Sequence, residues 1–200
     1  MISTSETITQ AGGKVVFVDT LPDSFTIDPA LFEEKITSRT VGIIPVHIYG
    51  QPADMDAVME IAERNGLWVI EDCAQAHGAM YKNRKVGTFG TFGAFSFYPT
   101  KNLGAIGDAG LVTTNNLDLA NKVRMIREYG WHNRTSMFPG RNSRLDELQA
   151  AILRIKLKYL DSDNQKRRDT AKFYYDNLLN FKLNKKELRA IGFPMSQLLI

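Results

Sequence analysis

The sequence lacks the features that mark secreted, membrane-embedded and nucleic-acid-binding proteins. Cys73 is its only cysteine, so an intrachain disulfide is impossible, which fits a reducing compartment. Residues 1–10 are polar and lack the apolar core of a signal peptide, and no apolar run approaches the length of a membrane span. The net charge of +3 is too small to indicate a nucleic-acid partner. We therefore expect a cytoplasmic protein with no nucleic-acid or membrane partner.

Histidine is equally scarce, which bears on metal binding. The three histidines, His47, His77 and His132, are far apart, and no pair has the spacing of metal ligands. No metal site is therefore predicted. For His47 and His77, which follow predicted strands, a packed or hydrogen-bonded histidine is favoured over one that faces a ligand.

The 200 residues suffice for one domain with a core, or for one domain and part of another. Apolar runs rich in β-branched residues alternate with helical spacing, and this β-α-β pattern predicts an α/β fold with a mainly parallel sheet. Strands are predicted at residues 14–19, 41–46, 67–71, 79–81, 94–97 and 110–114. Helices are predicted at residues 54–65, 117–128 and 145–179, the last with a break near 161–163.

One lysine stands in an unusual setting. Lys101 follows the predicted strand 94–97 and precedes a glycine-rich run that ends at Gly110. Asp72 closes the predicted strand 67–71, at the carboxyl end where open α/β sheets place their ligands. This pair suits a lysine that forms a Schiff base with pyridoxal phosphate and an aspartate that pairs with the pyridinium nitrogen. Taken singly, Asp72 is equally well explained as a helix cap or buried acid. A surface lysine at a turn is the alternative for Lys101, but its apolar setting does not favour it.

Other polar residues near this pair have two interpretations each. The Gln75 amide can donate to the phenolic oxygen of the cofactor, or it is a polar loop residue. The Ser96 hydroxyl can bind phosphate, or it reflects the alternation of a half-buried strand. Gly104 and Gly107 lack the spacing of a nucleotide-binding loop, so we interpret them as permitting tight turns behind the lysine.

Asn142 and Arg144 open the long predicted helix 145–179. An amide and a guanidinium at a helix N-terminus suit an anionic ligand. Ordinary helix capping explains the same spacing, and from spacing alone it is favoured.

Five segments, taken together, carry a resemblance to a known family. They are residues 45–51, 71–79, 95–101, 107–110 and 142–151. In this order they resemble the DegT/DnrJ/StrS sugar aminotransferases, from about residue 3 to about residue 180. The resemblance implies a three-layer, aspartate-aminotransferase-like fold (PLP fold type I), with residues 1–160 as part of the large cofactor-binding domain. Residues 161–200 would form a linker helix and the beginning of a small C-terminal domain.

The resemblance also implies roles for single residues. By position, Lys101 is similar to the Schiff-base lysine and Asp72 to the pyridinium partner. Gln75 matches the residue at the phenolic oxygen, and Ser96 matches a phosphate ligand. Pyridoxal 5'-phosphate is accordingly the expected cofactor.

Two further residues resemble positions at a shared site. Asn142 is similar to a phosphate ligand that the neighbouring subunit supplies, which implies a homodimer. Arg144 matches a position that faces the sugar substrate. The implied reaction transfers an amino group, usually from glutamate, to a keto group of a nucleotide-linked sugar, for deoxyamino-sugar or surface-polysaccharide biosynthesis.

Two details narrow the expected reaction. Some family members carry histidine in place of the lysine and dehydrate sugars, so Lys101 favours transamination. Residues 97–108 look more like the branch that acts at C3 than the branch that acts at C4. A dTDP-3-keto-6-deoxyhexose is therefore the expected substrate.

The resemblance departs from the family at both ends. Family members are nearly twice as long, with an earlier phosphate loop, a ring-stacking aromatic residue and most of the small domain. No agreement is seen after about residue 183. We therefore expect a fragment, for which two alternatives stay open: an inactive remnant, or another reaction on the same scaffold, such as forming an aminated aromatic ring.

Overall fold

The computed structural model describes residues 2–178. Its helices, α1 to α6, span Ile2–Gln10, Pro29–Glu34, Met55–Arg64, Leu117–Ile126, Glu147–Leu157 and Leu160–Leu178. Its strands, β1 to β8, span Gly42–Ile43, Trp68–Asp72, Met80–Tyr81, Arg84–Lys85, Phe92–Ser96, Gly110–Thr113, Trp131–His132 and Thr135–Ser136. A short 3₁₀ turn occupies Ile48–Gly50. Within this described part of the chain, no helix has the length and apolarity needed to cross a membrane.

The main sheet has four strands in the order β1-β2-β5-β6. β1 pairs with β2 and β2 pairs with β5 in parallel, whereas β6 runs antiparallel to β5. The hairpins β3–β4 and β7–β8 form separate two-stranded sheets. The predicted α/β fold with a mainly parallel sheet is therefore confirmed, although the predicted strand 79–81 lies in a hairpin outside the main sheet.

Helices lie on both faces of the sheet. Alternation along β2 places Val69 and Glu71 on one face and Asp72 on the other. Val69 packs in a core cluster with buried residues of α3 and with Ile43 of β1. On the opposite face, Thr4 of α1 hydrogen-bonds to Asp72. The sheet therefore stands between two helical layers, as the three-layer prediction requires.

Local chemistry sets the bounds of α3 close to the predicted helix 54–65. Asp54 caps the first turn by accepting a hydrogen bond from the Ala57 amide. The helix ends at Arg64 with Asn65 as its C-cap, and Gly66 follows with φ of +64°, the left-handed conformation that commonly terminates helices.

The prediction of a strand at residues 14–19 is wrong. This segment has no strand, and Val16 and Phe17 are 58% and 76% exposed. β-branched residues favour an extended backbone, but a strand also needs a neighbour to pair with. The described residues provide none here, since only Thr20 forms an isolated bridge, to Ile27.

The predicted strand 41–46 is shorter than expected, because only Gly42–Ile43 pairs regularly with β2. Pro45 has no N–H to donate to a ladder, so regular pairing stops before it. Pairing resumes only as an isolated parallel bridge between Val46 and Asp72.

The predicted helix 145–179 is two helices, α5 and α6, with a break at Lys158–Tyr159 instead of 161–163. Asp161 and Asp163 lie in the first turn of α6, where carboxylates interact favourably with the helix dipole. Asn164 of α6 is buried and donates to the His77 carbonyl oxygen at 2.8 Å. The start of α6 therefore packs on the sheet domain, and the domain boundary at residue 160 stays a prediction.

Candidate active site

Two predicted site residues end adjacent parallel strands. Asp72 is the last residue of β2, and Ser96 is the last residue of β5. Asp72 pairs with Ala94, and Ser96 follows Ala94 by two residues, so the side chains of Asp72 and Ser96 project from the same face. The sheet thus brings a carboxylate and a hydroxyl to one edge of one face.

Hydrogen bonds on both oxygens orient the Asp72 carboxylate. Its Oδ1 accepts from the Ala74 amide at 3.1 Å, and its Oδ2 accepts from the Thr4 hydroxyl at 2.6 Å. Each carboxylate oxygen has two acceptor sites, so both keep one for a further donor. Sequence patterns did not identify Thr4, because it lies 68 residues away in a polar helix.

The backbone of Tyr49 fixes the orientation of the Gln75 side chain. The Tyr49 amide donates to Gln75 Oε1 at 2.9 Å, so the NH₂ group of that side chain is left as a donor. Tyr49 has φ of +56°, a left-handed conformation that costs a bulky residue about 1–2 kcal/mol. The segment 45–51 therefore contributes one backbone contact that orients Gln75.

Lys101 lies in a tight loop directly after β5. Its amide donates to the Tyr98 carbonyl oxygen at 2.9 Å, and the Ala105 amide returns to the carbonyl of Phe97 at 2.8 Å. The turn requires Gly104, because a Cβ there would collide with the Pro99 carbonyl group. The glycines therefore permit tight turns, as predicted.

The amine of Lys101 is the group in this loop that is best placed to bind a ligand. The residue is partly buried. Within residues 2–178, its Nζ forms no hydrogen bond or ion pair. A partly buried amine without an internal partner is available to an external group.

Helix α5 packs against the loop that carries Lys101. The Ile106 amide donates to Gln149 Oε1 at 2.9 Å, and the Lys156 amine donates to the Gly104 carbonyl oxygen. Leu153 of α5 is buried in a cluster with Leu103. The position of Lys101 therefore depends on contacts with a helix that begins more than 40 residues later.

A buried charge network lies beneath Asp72, on the opposite face of β2. The Glu71 carboxylate accepts from the amides of Gly87, Phe89 and Gly90 at 2.6, 2.7 and 2.8 Å. His47 Nε2 lies 3.1 Å from the same carboxylate. Burial by itself raises the pKa of Glu71, but the hydrogen bonds from His47, Gly90 and Gly87 outweigh it, and the net effect lowers the pKa.

His47, Glu71 and Cys73 bring potential metal-ligand atoms within 4.8 Å of one another. The Ala53 amide donates to His47 Nδ1 at 3.1 Å, so Nε2 carries the proton that is donated to Glu71. Burial, followed by the charges of Glu71 and Asp72, raises the pKa of the Cys73 thiol, which keeps it protonated. The ligand atoms of His47 and Glu71 are thus already used in contacts that hold the fold.

His77 is a packed histidine, as favoured from the sequence. It is 4% exposed, and its ring lies 5.7 Å from that of Phe95 and 5.8 Å from that of Phe97. Burial is the main cause that lowers its pKa to about 4, so the imidazole is neutral at pH 7. Phe95 projects from the face opposite Ser96, so His77 packs behind the candidate site.

Asn142 and Arg144 lie in the segment between β8 and α5. Asn142 forms an isolated bridge with Glu128, and the Arg144 guanidinium lies 5.5 Å from the Tyr129 ring centre. Both precede α5, whose cap is Asp146, so they do not open the helix as expected. Their side chains are exposed, and no hydrogen bond between described residues joins them to Lys101.

The residues at the sheet edge fit the polar groups of pyridoxal phosphate. A carboxylate with free acceptor sites suits the pyridinium N–H, an amide donor suits the phenolic oxygen, and a hydroxyl suits the phosphate. An unpartnered lysine amine suits the aldehyde carbon.

The comparisons with known proteins show the family of the chain. The model of the DegT/DnrJ/EryC1/StrS aminotransferase family matches residues 1–190. The chain belongs to this family. The match continues past residue 183, where the sequence resemblance was expected to end; residues 179–190 lie outside the described structure.

Two curated relatives carry names of sugar transaminases. The dTDP-3-amino-3,4,6-trideoxy-alpha-D-glucose transaminase of Streptomyces venezuelae is 47% identical over 190 residues, which cover 94% of this chain and 48% of the relative. The dTDP-3-amino-3,6-dideoxy-alpha-D-galactopyranose transaminase of Aneurinibacillus thermoaerophilus is 51% identical over 174 residues, which cover 86% and 48%. This chain therefore spans about half the length of the curated relatives it matches.

A solved structure shares the fold of this chain. The crystal structure of S. venezuelae DesV in complex with a ketimine intermediate is 48% identical, with a TM-score of 0.86. The alignment covers 89% of this chain and 48% of DesV. The predicted aminotransferase-like fold is therefore confirmed for the matched part.

Proposed function

We propose that this chain provides the pyridoxal-phosphate site of an aminotransferase for a nucleotide-linked keto sugar. One observation carries the proposal. Among the described residues, the Lys101 amine has no hydrogen-bond or ion-pair partner. Lys101 lies in a tight loop after β5, and β5 pairs with β2, which ends in Asp72. When bound, pyridoxal phosphate supplies an electron-withdrawing ring that stabilises charge on the substrate carbon.

Each residue then has a defined task. The Asp72 carboxylate accepts the ring N–H and keeps that nitrogen protonated. The Gln75 amide donates to the phenolic oxygen, and the Ser96 hydroxyl donates to the phosphate. Lys101 would hold the cofactor through its amine, and that amine, when free, would move the proton at the reacting carbon.

The substrate part of the proposal rests on the relatives. Both curated relatives described above are named for 3-amino dTDP sugars, which supports a dTDP-3-keto-6-deoxyhexose as acceptor. We propose glutamate as the donor and the biosynthesis of deoxyamino sugars or surface polysaccharides as the context. In a homodimer, Asn142 would complete the phosphate site of the neighbouring subunit, and Arg144 would contact the sugar.

The test is to add pyridoxal phosphate to the full chain, record the visible spectrum, reduce with borohydride and map the modified peptide. We expect the label on Lys101 and its loss in Lys101→Ala. Lys122→Ala removes an exposed lysine of α4 and is the matched control. A label that persists in Lys101→Ala would overturn the assignment of this lysine.

Turnover then tests the substrate. A chain that binds the cofactor is supplied with glutamate and with matched 3-keto and 4-keto dTDP sugars. Amination of the 3-keto sugar is expected. A preference for the 4-keto sugar would overturn the proposed position of amination without affecting the cofactor assignment.

A further inference from the structure

Helix α1 contacts the candidate site through the side chain of Thr4, and hydrophobic packing does not explain this contact. None of the residues of α1 is buried, so the helix gains little from the hydrophobic effect. Thr4 nevertheless donates its hydroxyl to Asp72 Oδ2 at 2.6 Å. This distance falls in the range of a hydroxyl bonded to an ionised carboxylate, about 2.5–2.7 Å.

The bond completes the orientation of the carboxylate. The terminal torsion of an aspartate is broad, so one donor leaves its plane poorly defined. The Ala74 amide holds one oxygen from the loop after β2, at 3.1 Å. Thr4 holds the other oxygen from a different segment, so the two donors together define the carboxylate plane.

We infer that Thr4 is a positioning residue for the cofactor, acting through Asp72. By fixing the carboxylate, its hydroxyl directs a remaining acceptor site of Asp72 toward the ring N–H. This inference rests on the proposed function, because it needs pyridoxal phosphate at the sheet edge. It assigns a role to α1, a segment for which sequence patterns indicated no function.

The chain offers a matched pair of variants. Thr4→Val keeps the shape and branching of the side chain but has no hydroxyl. Thr4→Ser keeps the hydroxyl and loses only a methyl group. The pair therefore separates the hydrogen bond from the packing of α1.

The first measurement is the Kd of the full chain for pyridoxal phosphate, followed by its visible absorbance. We expect Thr4→Val to weaken binding about tenfold, equal to about 1.4 kcal/mol. Thr4→Ser should bind within about twofold of the wild type. In an Asp72→Ala background, Thr4→Val should weaken binding less than about twofold, because the two residues then no longer interact.

Two results of the binding measurement would overturn the inference. One is a Thr4→Val chain that binds as tightly as the wild type. The other is an equal loss in the wild-type and Asp72→Ala backgrounds, which would mean that Thr4 acts on the helix alone. A wild-type chain without the cofactor band would overturn the proposed function, and the inference with it, so the two failures are distinguishable.

A second readout does not depend on the strength of binding. The pH at which the lysine–cofactor band titrates should be higher in Thr4→Val than in Thr4→Ser. A less firmly held ring nitrogen withdraws fewer electrons, so the lysine-bound nitrogen becomes more basic. Equal titration midpoints in the two variants would contradict a positioning role.

Discussion

The Glu71→Gln substitution tests the network that anchors the end of β2. Its carboxylate accepts three backbone hydrogen bonds and one from His47, while its side chain is fully buried. Glutamine has the same shape but replaces one oxygen with a donor NH₂ group. Whichever oxygen is replaced, two buried donors then face another donor.

The expected loss in the free energy of unfolding follows from these four hydrogen bonds. If the NH₂ replaces Oε1, the amides of Phe89 and Gly90 lose their acceptor; if it replaces Oε2, Gly87 and His47 lose theirs. A change of histidine tautomer does not rescue the second case, because it would leave the Ala53 amide unpaired. Each buried donor left without an acceptor costs about 1–3 kcal/mol, so two such donors predict a loss of about 2–6 kcal/mol.

The assay is equilibrium urea unfolding of the full chain at pH 7, with the free energy taken from midpoint and slope. Glu63→Gln is the matched control, since Glu63 is an exposed acid on α3 and its loss should cost less than about 0.5 kcal/mol. A Glu71→Gln chain within about 1 kcal/mol of the wild type would refute the description of Glu71 as a buried, fully used acceptor.

The dependence of folding stability on pH should also show that Glu71 is a buried, hydrogen-bonded carboxylate. The folded-state pKa of Glu71 is below its ordinary value of 4.5, so this stabilisation is present above that value and is lost as pH falls through the folded pKa. The wild type should therefore lose more stability on acidification below about pH 4.5 than Glu71→Gln does. Parallel stability curves would contradict the assignment.

Three further predictions concern the lysine loop and two buried side chains. Gly104→Ala should displace the loop and abolish cofactor attachment to the lysine, because its Cβ would collide with backbone atoms. Gly107→Ala should weaken attachment less, because its Cβ would meet only the end of the Gln149 side chain, which can shift at the cost of its hydrogen bond from Ile106. Borohydride labelling checks both. The folded pKa of His77 is about 4 against an ordinary 6.5, so stability should fall by up to about 3 kcal/mol between pH 6.5 and 4. Urea unfolding should show that His77→Leu lacks this loss and that the exposed-site control His132→Leu keeps it. Because burial raises its pKa, the Cys73 thiol should react with a disulfide reagent only after unfolding, which absorbance at a fixed pH would show.

The sequence predicted those features whose cause is local. The helix α3 is bounded by its own capping residues, Asp54 and Gly66, and both are visible as signals in the sequence. Asp72 was predicted at the end of its strand because apolar runs mark strands and sheets place ligands at their carboxyl ends. The turn made by Gly104 was predicted as well, since glycine follows the lysine closely.

Features that depend on pairing over long distances were not predictable. The segment 14–19 has the composition of a strand, but composition does not show that a neighbour is lacking. The bonds from Thr4 to Asp72 and from Tyr49 to Gln75 join residues 68 and 26 positions apart, and neither donor has a signal of its own. A helical threonine and a loop amide become recognisable only when the sheet brings their acceptors to them.

The candidate site combines residues whose identity is set locally with contacts from distant segments that orient them. Apart from Asn142, which is proposed to act in the neighbouring subunit, the groups expected to touch the cofactor lie in two short segments, around Asp72 and Lys101, and their identity is local. Their orientation comes from α1, from the 45–51 segment and from α5, which are distant in sequence. A substitution in a supporting segment should therefore weaken the cofactor contact while the loops that carry the cofactor-facing residues stay folded. Two pairs of variants test this. Thr4→Val and Thr4→Ser change a remote donor, whereas Gly104→Ala and Gly107→Ala change the loop that carries Lys101.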